Sequence, residues 1–532
     1  MHNIITCGMQ FGDEGKGTFI DYLTFKHKAN WIVRYNGGSQ ASHTVETPNG
    51  TIHKYSQLAS GFFNNSVKEA ISSNMVINLD NLFIEMSVLA EKTHSTVSEI
   101  FNRLYINEMC LVVTPYHKLL NKLRELALGE KRRGSVGTGV SEVRYLYYIS
   151  QPNYNGGAIF RKYGRLYLCL NDFLNCMDNK ARDRFTDTFL FLRRYVRDFY
   201  LEHKSTIEQN MPDELRESIE KEIDYLITNP RTYRTIAINY IKKCEELLSL
   251  YPDILGKSVS STPWIEELKE MSAFADFEEQ IKKFTVIFEG SQGLLIDGNY
   301  GLRPNTTYLD TTNHHAEYLA KSILSVTGSE NVDCRKIGIA KAFYSRHGIG
   351  VFPTESLTLE KYIRDKNQEE TYWNGRIRFG WFDAVLFRYA QRINRVNEVF
   401  LSSLDKLNGL PRLKVCNSYR YIGEIDDLFK KVFSYYVDEH GNVIIVDILR
   451  SCKNISKYLA KCKPIYITVN GWKEVMVGKS FGYSGKLSIE CEEYIRLISA
   501  LTKINITCIS YGPTRNEKLQ IGGKYANVHS YN

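Results

Sequence analysis

Several signatures are missing from this 532-residue sequence, and each absence removes a class of protein. Its 11 cysteines, from Cys7 to Cys508, form no Cys-x-x-Cys pair and are odd in number. That pattern argues against a disulfide framework and a structural zinc site. There is no run of eighteen apolar residues, so no transmembrane helix is expected. The opening "MHNIITCGMQ" has neither the charged start nor the long apolar stretch of a secretory signal. Proline is scarce, at 12, and no Gly/Ser/Pro-rich linker or internal repeat divides the chain. Positive charge is not concentrated. The net charge is +8, yet the densest basic runs are only Lys131-Arg132-Arg133 and Arg193-Arg194, which excludes a nucleic-acid arm as the main device. The expectation is a reduced, cytoplasmic protein that handles anionic small molecules, with no membrane partner.

What is present begins with "GMQFGDEGKGTF", residues 8–19. It follows a short apolar strand, "NIITCGM", and precedes the helix-spaced "TFIDYLTFKH". Glycines let backbone N–H groups approach phosphate oxygens, and the helix adds its positive dipole end. Gly12, Gly15, Lys16 and Gly17 therefore read as a phosphate cradle. It is not a Walker A loop, because glycine rather than Ser or Thr follows the lysine. Asp13 and Glu14 need a separate reason. A carboxylate beside phosphates can hold Mg²⁺ or take a proton from a nucleophile. These roles fit Asp13; Glu14 receives none.

"NWIVRYNGG" is a second strand expectation, leading to His43 in a polar loop. "FTVIFEGSQG", "KIGIAKAFYS", "EVFLSSLD" and "INITCISYGP" are further strands, with the helical "WFDAVLFRYAQRIN" between two of them. The order predicts an α/β fold: a large, mostly parallel sheet flanked by helices, with ligands at the strand ends. Residues 176–250 are helix-spaced and charged, and predict amphipathic helices packed on the main sheet. The whole chain, 1–532, reads as one domain with a helical insertion. Polar donors recur at Gln292 and Thr307. Arg376 and Arg378 alternate in an expected loop before a helix and suit carboxylate or phosphate capture. Asp405 can accept the two N–H donors of guanine. "ISYGPTRNE", with Ser510, Gly512 and Arg515, is placed to line a nucleotide pocket.

In this order the segments resemble the adenylosuccinate synthetase family. The resemblance rests on Gly8–Gly17, Arg34–Thr44, Phe288–Gly293, Phe352–Glu355, Gly375–Asp383, 404–410 and 512–515. It implies a GTP-driven ligation in which Asp13 removes the N1 proton of IMP and O6 attacks the γ-phosphate. The aspartate amine then displaces phosphate from the 6-phosphoryl intermediate. It further implies His43 and Lys16 as catalytic, and a GTP site of Gly12, Gly15, Lys16, Gly17, Ser42, His43, Thr44, Asp405, Ser510, Gly512 and Arg515. The IMP site would comprise Asp13, Gln40, Ser135, Gln292, Thr307 and Arg376, and the aspartate site Trp373, Asn374, Gly375, Arg376 and Arg378. Asp13 and Ser42 would serve Mg²⁺. A homodimer is implied, completed by an arginine from the partner, for which Arg144 is the candidate. The segment 145–284 is longer than the family's. Departures cluster in the pockets: Val136 and Thr138 in the 134–142 loop, Gln40 and Ser42, Trp373-Asn374, and Ser403 beside the guanine position. Two alternatives stay open: the same chemistry on another purine nucleotide such as dGMP, or a catalytically idle nucleotide-binding homologue.

Overall fold

The computed structural model describes residues 2–250, 262–274, 276–327, 334–363, 372–373, 375–478 and 485–522; Asn374 lies outside the described residues. The chain opens with β1 (His2–Gly8), a turn, and α1 (Lys16–His27). Ile4, Ile5 and Thr6 are all buried, as β-branched residues on a strand covered on both faces should be. Gly15 caps α1 with φ +79°, a left-handed conformation that a side chain resists. That turn aims the first N–H groups of α1 back over the end of β1.

The remaining strands that frame the site are β2 (Trp31–Arg34), β3 (Lys68–Ile71), β4 (Leu104–Ile106), β5 (Thr285–Glu289), β6 (Cys334–Lys341), β7 (Tyr344–His347), β8 (Ile377–Gly380), β9 (Glu398–Ser402), β10 (Asn505–Ser510) and β11 (Lys518–Gln520). Nine strands make the main sheet, in the order β11-β10-β9-β6-β1-β5-β2-β3-β4. Every neighbouring pair is parallel except β10–β11. The α/β expectation therefore holds. β1 lies centrally between β5 and β6, with Thr6 opposite both Glu289 and Ile337. The carboxyl ends of β1, β2, β5, β6 and β9 thus share one edge, where open parallel sheets bind ligands.

Two strand expectations need correction. "NWIVRYNGG" is not one strand: it leaves the main sheet after Arg34, because Gly37 turns at φ +106°. Gly37–Gly38 then pair with Met75–Val76 in a separate four-stranded sheet. "KIGIAKAFYS" divides into β6, in the main sheet, and β7, which pairs antiparallel with β8. Arg378 therefore sits on a strand rather than in a loop. A further, mainly antiparallel sheet of five strands spans 382–470 and was not expected. Asp383 starts the helix over Ala384–Asn394 by accepting the N–H groups of Val385 and Leu386, both at 3.1 Å, a carboxylate N-cap.

The long middle segment is helical, as expected, but its apolar face meets another helix first. α2 (Pro115–Leu128) receives α4 (Asn179–Asn210), and α5 (Asp213–Ile223) and α6 (Thr232–Leu250) complete the bundle; α3 (Val140–Ile149) follows α2 in the chain. Phe185, Phe189, Leu192 and Val196 recur at helical spacing and are buried. Phe189 packs near Tyr116 of α2 and stacks on Tyr240 of α6. This bundle is continuous with the core that covers one face of the main sheet.

Candidate active site

A cleft of about 710 Å³ lies at the carboxyl edge of the main sheet, within the range usual for small-molecule sites. Gly12, Asp13, Gly15, Lys16 and Gly17 form its floor, and Gln40, Ser42, His43, Thr44, Ser135, Gln292 and Thr307 line its sides. Twelve of the expected site residues are therefore brought together from segments far apart in the chain.

The phosphate loop is braced from below by Glu14, which sequence reasoning left without a role. Glu14 is fully buried. Its Oε1 accepts the N–H groups of Gln10, at 3.0 Å, and Gly12, at 2.9 Å. Its Oε2 pairs with Lys16 Nζ. The loop's second acid is thus consumed in shaping the turn and fixing the lysine, which leaves Asp13 facing the cleft. Asp13 adopts φ 57°, the left-handed region that aspartate tolerates better than most side chains. Burial raises its pKa, but the hydrogen bond from His347 and the charge of Lys341 outweigh burial and hold the carboxyl well below the usual range. Asp13 Oδ2 lies 3.0 Å from His347 Nε2.

His43 arrives beside the loop because Gly17 leaves it room: a Cβ on Gly17 would stand 2.7 Å from His43 Cβ. Its Nδ1 is 2.6 Å from Glu289 Oε1 at the end of β5. Glu289 is fully buried; burial pushes it up, yet the charge of Arg34 and the bond from His43 bring it down to about 2. The pair fixes the ring so that Nε2 is the free nitrogen. That atom is buried and has no partner among the described residues. Burial lowers the His43 pKa, with Glu289 opposing. The side-chain oxygen and nitrogen of Gln40, and Oε1 of Gln292, are likewise buried without partners. Buried polar atoms are seldom left unsatisfied, and these unpaired groups lie on the walls of one cleft, so they mark where a polar ligand belongs. Thr307 Oγ1 and Ser141 Oγ are 3.2 Å apart, and Ser135 Oγ accepts from Asn121.

Other expected residues lie elsewhere. Arg376 pairs with Glu360 at 2.9 Å. Arg378 pairs with Glu355 at 2.7 Å and donates to the carbonyls of Gly348 and Gly350. Neither lines the cleft. Gly375 and Trp373 are also off its wall. Trp373 packs beside Gly137 and the insertion core, and Tyr372 donates to Asn210 O at the end of α4. Asp405 sits in the short helix after β9, where burial raises its pKa; its neighbour Lys406 reaches the cleft. Ser510 donates to Gly512 O, and Gly512 is crowded by Glu517. Arg515 does not line the cleft: its guanidinium pairs with buried Asp21 at 2.8 Å and lies over Phe25. Arg144 is buried and donates to Asn74 O at 2.8 Å.

Sequence reasoning missed Glu289, Lys341, Arg346 and His347. Glu289 and Lys341 close β5 and β6 at the ligand edge, and Arg346 and His347 close β7; the charged "KAFYSRHG" from the end of β6 carried a signal that a strand-only reading passed over. Arg346 is 2% exposed, lies over Phe11, and donates to Val351 O and Asn305 O; burial lowers it to about 9.

Among the described residues no three His, Cys, Asp or Glu side chains cluster as a metal site. Mg²⁺ is commonly held by one or two carboxylates, with substrate phosphates and water completing the shell. A single ionised Asp13 beside a phosphate loop fits that donor pattern. Among the described residues no helix is long and apolar enough to cross a membrane.

A phosphate loop, an ionised carboxylate and a carboxylate-braced histidine on one cleft define an enzyme of nucleotide-driven phosphoryl chemistry. The family model for adenylosuccinate synthetase matches residues 5–165 and 264–519, and the chain belongs to that family of ligases. The break in the match falls in the helical middle segment. The chain is similar to the adenylosuccinate synthetase of Halothermothrix orenii, 28% identical over 523 residues, covering 98% of this chain and 99% of that protein. It is 29% identical to that of Vibrio cholerae over 523 residues, covering 97% of this chain and 98% of that protein. The fold is similar to the solved structure of fully ligated adenylosuccinate synthetase from Plasmodium falciparum. The TM-score is 0.64 at 21% identity, covering 98% of this chain and 100% of that one.

Proposed function

We propose that this chain joins L-aspartate to C6 of IMP at the expense of GTP, giving adenylosuccinate, GDP and phosphate. The observation that carries this reading is the presence of two groups on one cleft: the ionised Asp13 carboxylate on the phosphate loop and the buried Nε2 of His43, which has no partner among the described residues.

In this reading Asp13 accepts the N1 proton of IMP as O6 bonds to the γ-phosphorus and the bond to GDP breaks. A triphosphate beside Asp13 raises its pKa again, toward the value a base needs. His43, held through Nδ1 by Glu289, gains its second proton when the anionic phosphates stand beside it, and then directs Nε2–H at the oxygen that departs with GDP. Lys16, fixed by Glu14, and the N–H groups opening α1 hold the phosphates. The unpaired amides of Gln40 and Gln292, with Ser135 and Thr307, bind IMP. The aspartate amine then attacks C6, and phosphate leaves with the O6 oxygen. Asp13 and the chain at Ser42 would hold Mg²⁺, which would neutralise charge on the phosphates. Trp373, Asn374, Gly375, Arg376 and Arg378 serve aspartate, which requires Arg376 and Arg378 to exchange Glu360 and Glu355 for the substrate carboxylates. Asp405 reads guanine, with Ser510, Gly512 and Arg515 supporting that end of the site. The protein acts as a homodimer, and 145–284 enlarges a single catalytic domain spanning 1–532.

An omission series tests the reading. Phosphate release should need GTP, IMP and aspartate together. Release from GTP alone at the same rate would refute it.

A further inference from the structure

We infer that His347 is a positioning residue that holds the Asp13 carboxylate in its working orientation through an Nε2–H donated to Oδ2. The inference rests on the reading of Asp13 as the base.

Three observations lead to it. First, among the described residues the contact with His347, at 3.0 Å, is the only hydrogen bond to the Asp13 carboxylate. Both side chains face the cleft and are partly exposed, at 35% for His347 and 40% for Asp13. A carboxylate on a left-handed loop residue with one partner owes its rotamer to that partner. One oxygen tied to His347 leaves the other free for the substrate N1–H.

Second, the spacing between the two residues is built in. His347 ends β7, and the preceding residue, Arg346, is buried with its guanidinium 4.5 Å from the Phe11 ring centroid. Phe11 is two residues before Asp13, so the same anchor ties the hairpin to the phosphate loop. Arg346 is further fixed by its bonds to Val351 O and Asn305 O. A histidine on a rigid strand end can place a donor far more closely than one on a free loop.

Third, the hairpin that carries His347 also carries Arg378. Arg378 stands opposite Arg346 in the β7–β8 pair and donates to the carbonyls of Gly348 and Gly350 just beyond His347. Gly348 N–H donates to Arg376 O. The segment assigned to aspartate and the group that orients the base are therefore one mechanical piece. The bond needs only a neutral imidazole with its proton on Nε2, so the role does not depend on a charged histidine.

The test compares H347A and H347Q with the unaltered protein and with D13A. Glutamine reaches as far as Nε2 and keeps an uncharged donor. The readouts are kcat, the KM for GTP, and positional isotope exchange in GTP labelled at the β–γ bridge, run with IMP and without aspartate. That exchange reports formation of the phosphorylated nucleotide by itself. The expected result is that H347A loses about 10- to 100-fold in both kcat and exchange, while its KM for GTP stays within about twofold. H347Q should recover most of the loss. The inference fails if H347A matches the unaltered protein, if it acts through KM alone, or if H347Q is no better than H347A. If D13A itself turns over normally, the reading of Asp13 as base is what has failed. If D13A is inactive and H347A is not impaired, only the role of His347 falls.

Discussion

His43 Nδ1 lies 2.6 Å from the carboxylate of Glu289, and Nε2 of the same ring is buried in the cleft wall without a partner among the described residues. An anion on one side of an imidazole favours a proton on the other. E289Q keeps the size and removes the charge. It is expected to lower kcat by about 100-fold, the scale of a lost proton donor, with a smaller change in KM. Steady-state kinetics check this; an unchanged kcat would separate Glu289 from the chemistry.

The same carboxylate gives a pH signature in stability. Glu289 ordinarily titrates near 4.5 and is held at about 2 in the folded chain. Its contribution is present above the unfolded value and is lost as pH falls toward 2. The stability gap between the unaltered protein and E289Q should therefore narrow as pH drops from 6 to 3. Denaturation midpoints across that range measure it, and a constant gap would show that the carboxylate is not selectively held.

Glu14 is expected to matter for folding before it matters for turnover. E14A deletes the acceptor of two loop N–H groups and leaves Lys16 buried without its partner. Breaking a buried pair from one side costs about 3–5 kcal/mol. Urea denaturation reads this directly, and a loss under about 1 kcal/mol, the range of an exposed pair, would mean that the brace is dispensable.

Asp405 tests the identity of the phosphoryl donor. If its carboxylate accepts the N1–H and N2–H groups of guanine, D405N should raise the KM for GTP by roughly 10- to 100-fold, as expected for a lost charged hydrogen bond. It should also improve the use of xanthosine triphosphate, whose O2 can accept from the new amide. Unaltered GTP kinetics in D405N would place base recognition elsewhere.

The parts of the site that could be read from sequence are those whose chemistry is local. Gly12, Asp13, Gly15 and Lys16 lie within one turn, and glycine spacing with a lysine announces a phosphate cradle in any context. The strand–turn–helix around them follows from apolar periodicity, and the parallel sheet follows from its repetition. What could not be read depends on pairing across the chain. Glu14 looked redundant until its acceptors folded over Gln10 and Gly12. His347 received no role because its partner is 334 residues away. The pairing of Arg515 was hidden in the same way, because nothing in "GPTR" reveals the contact with Asp21. The second, antiparallel sheet over 382–470 escaped notice because alternating, half-exposed strands give a weaker signal than the hydrophobic runs of the main sheet.

The most direct measurement of the central claim is the mass of the nucleotide product when the protein is given GTP, Mg²⁺, aspartate and an equal mixture of IMP and dGMP. The expected result is that IMP alone gains a succinyl-amino group, with one GDP formed for each product. Succinylation of dGMP with IMP untouched would contradict the assignment of the acceptor, and GDP formation with neither nucleotide modified would contradict the ligation itself.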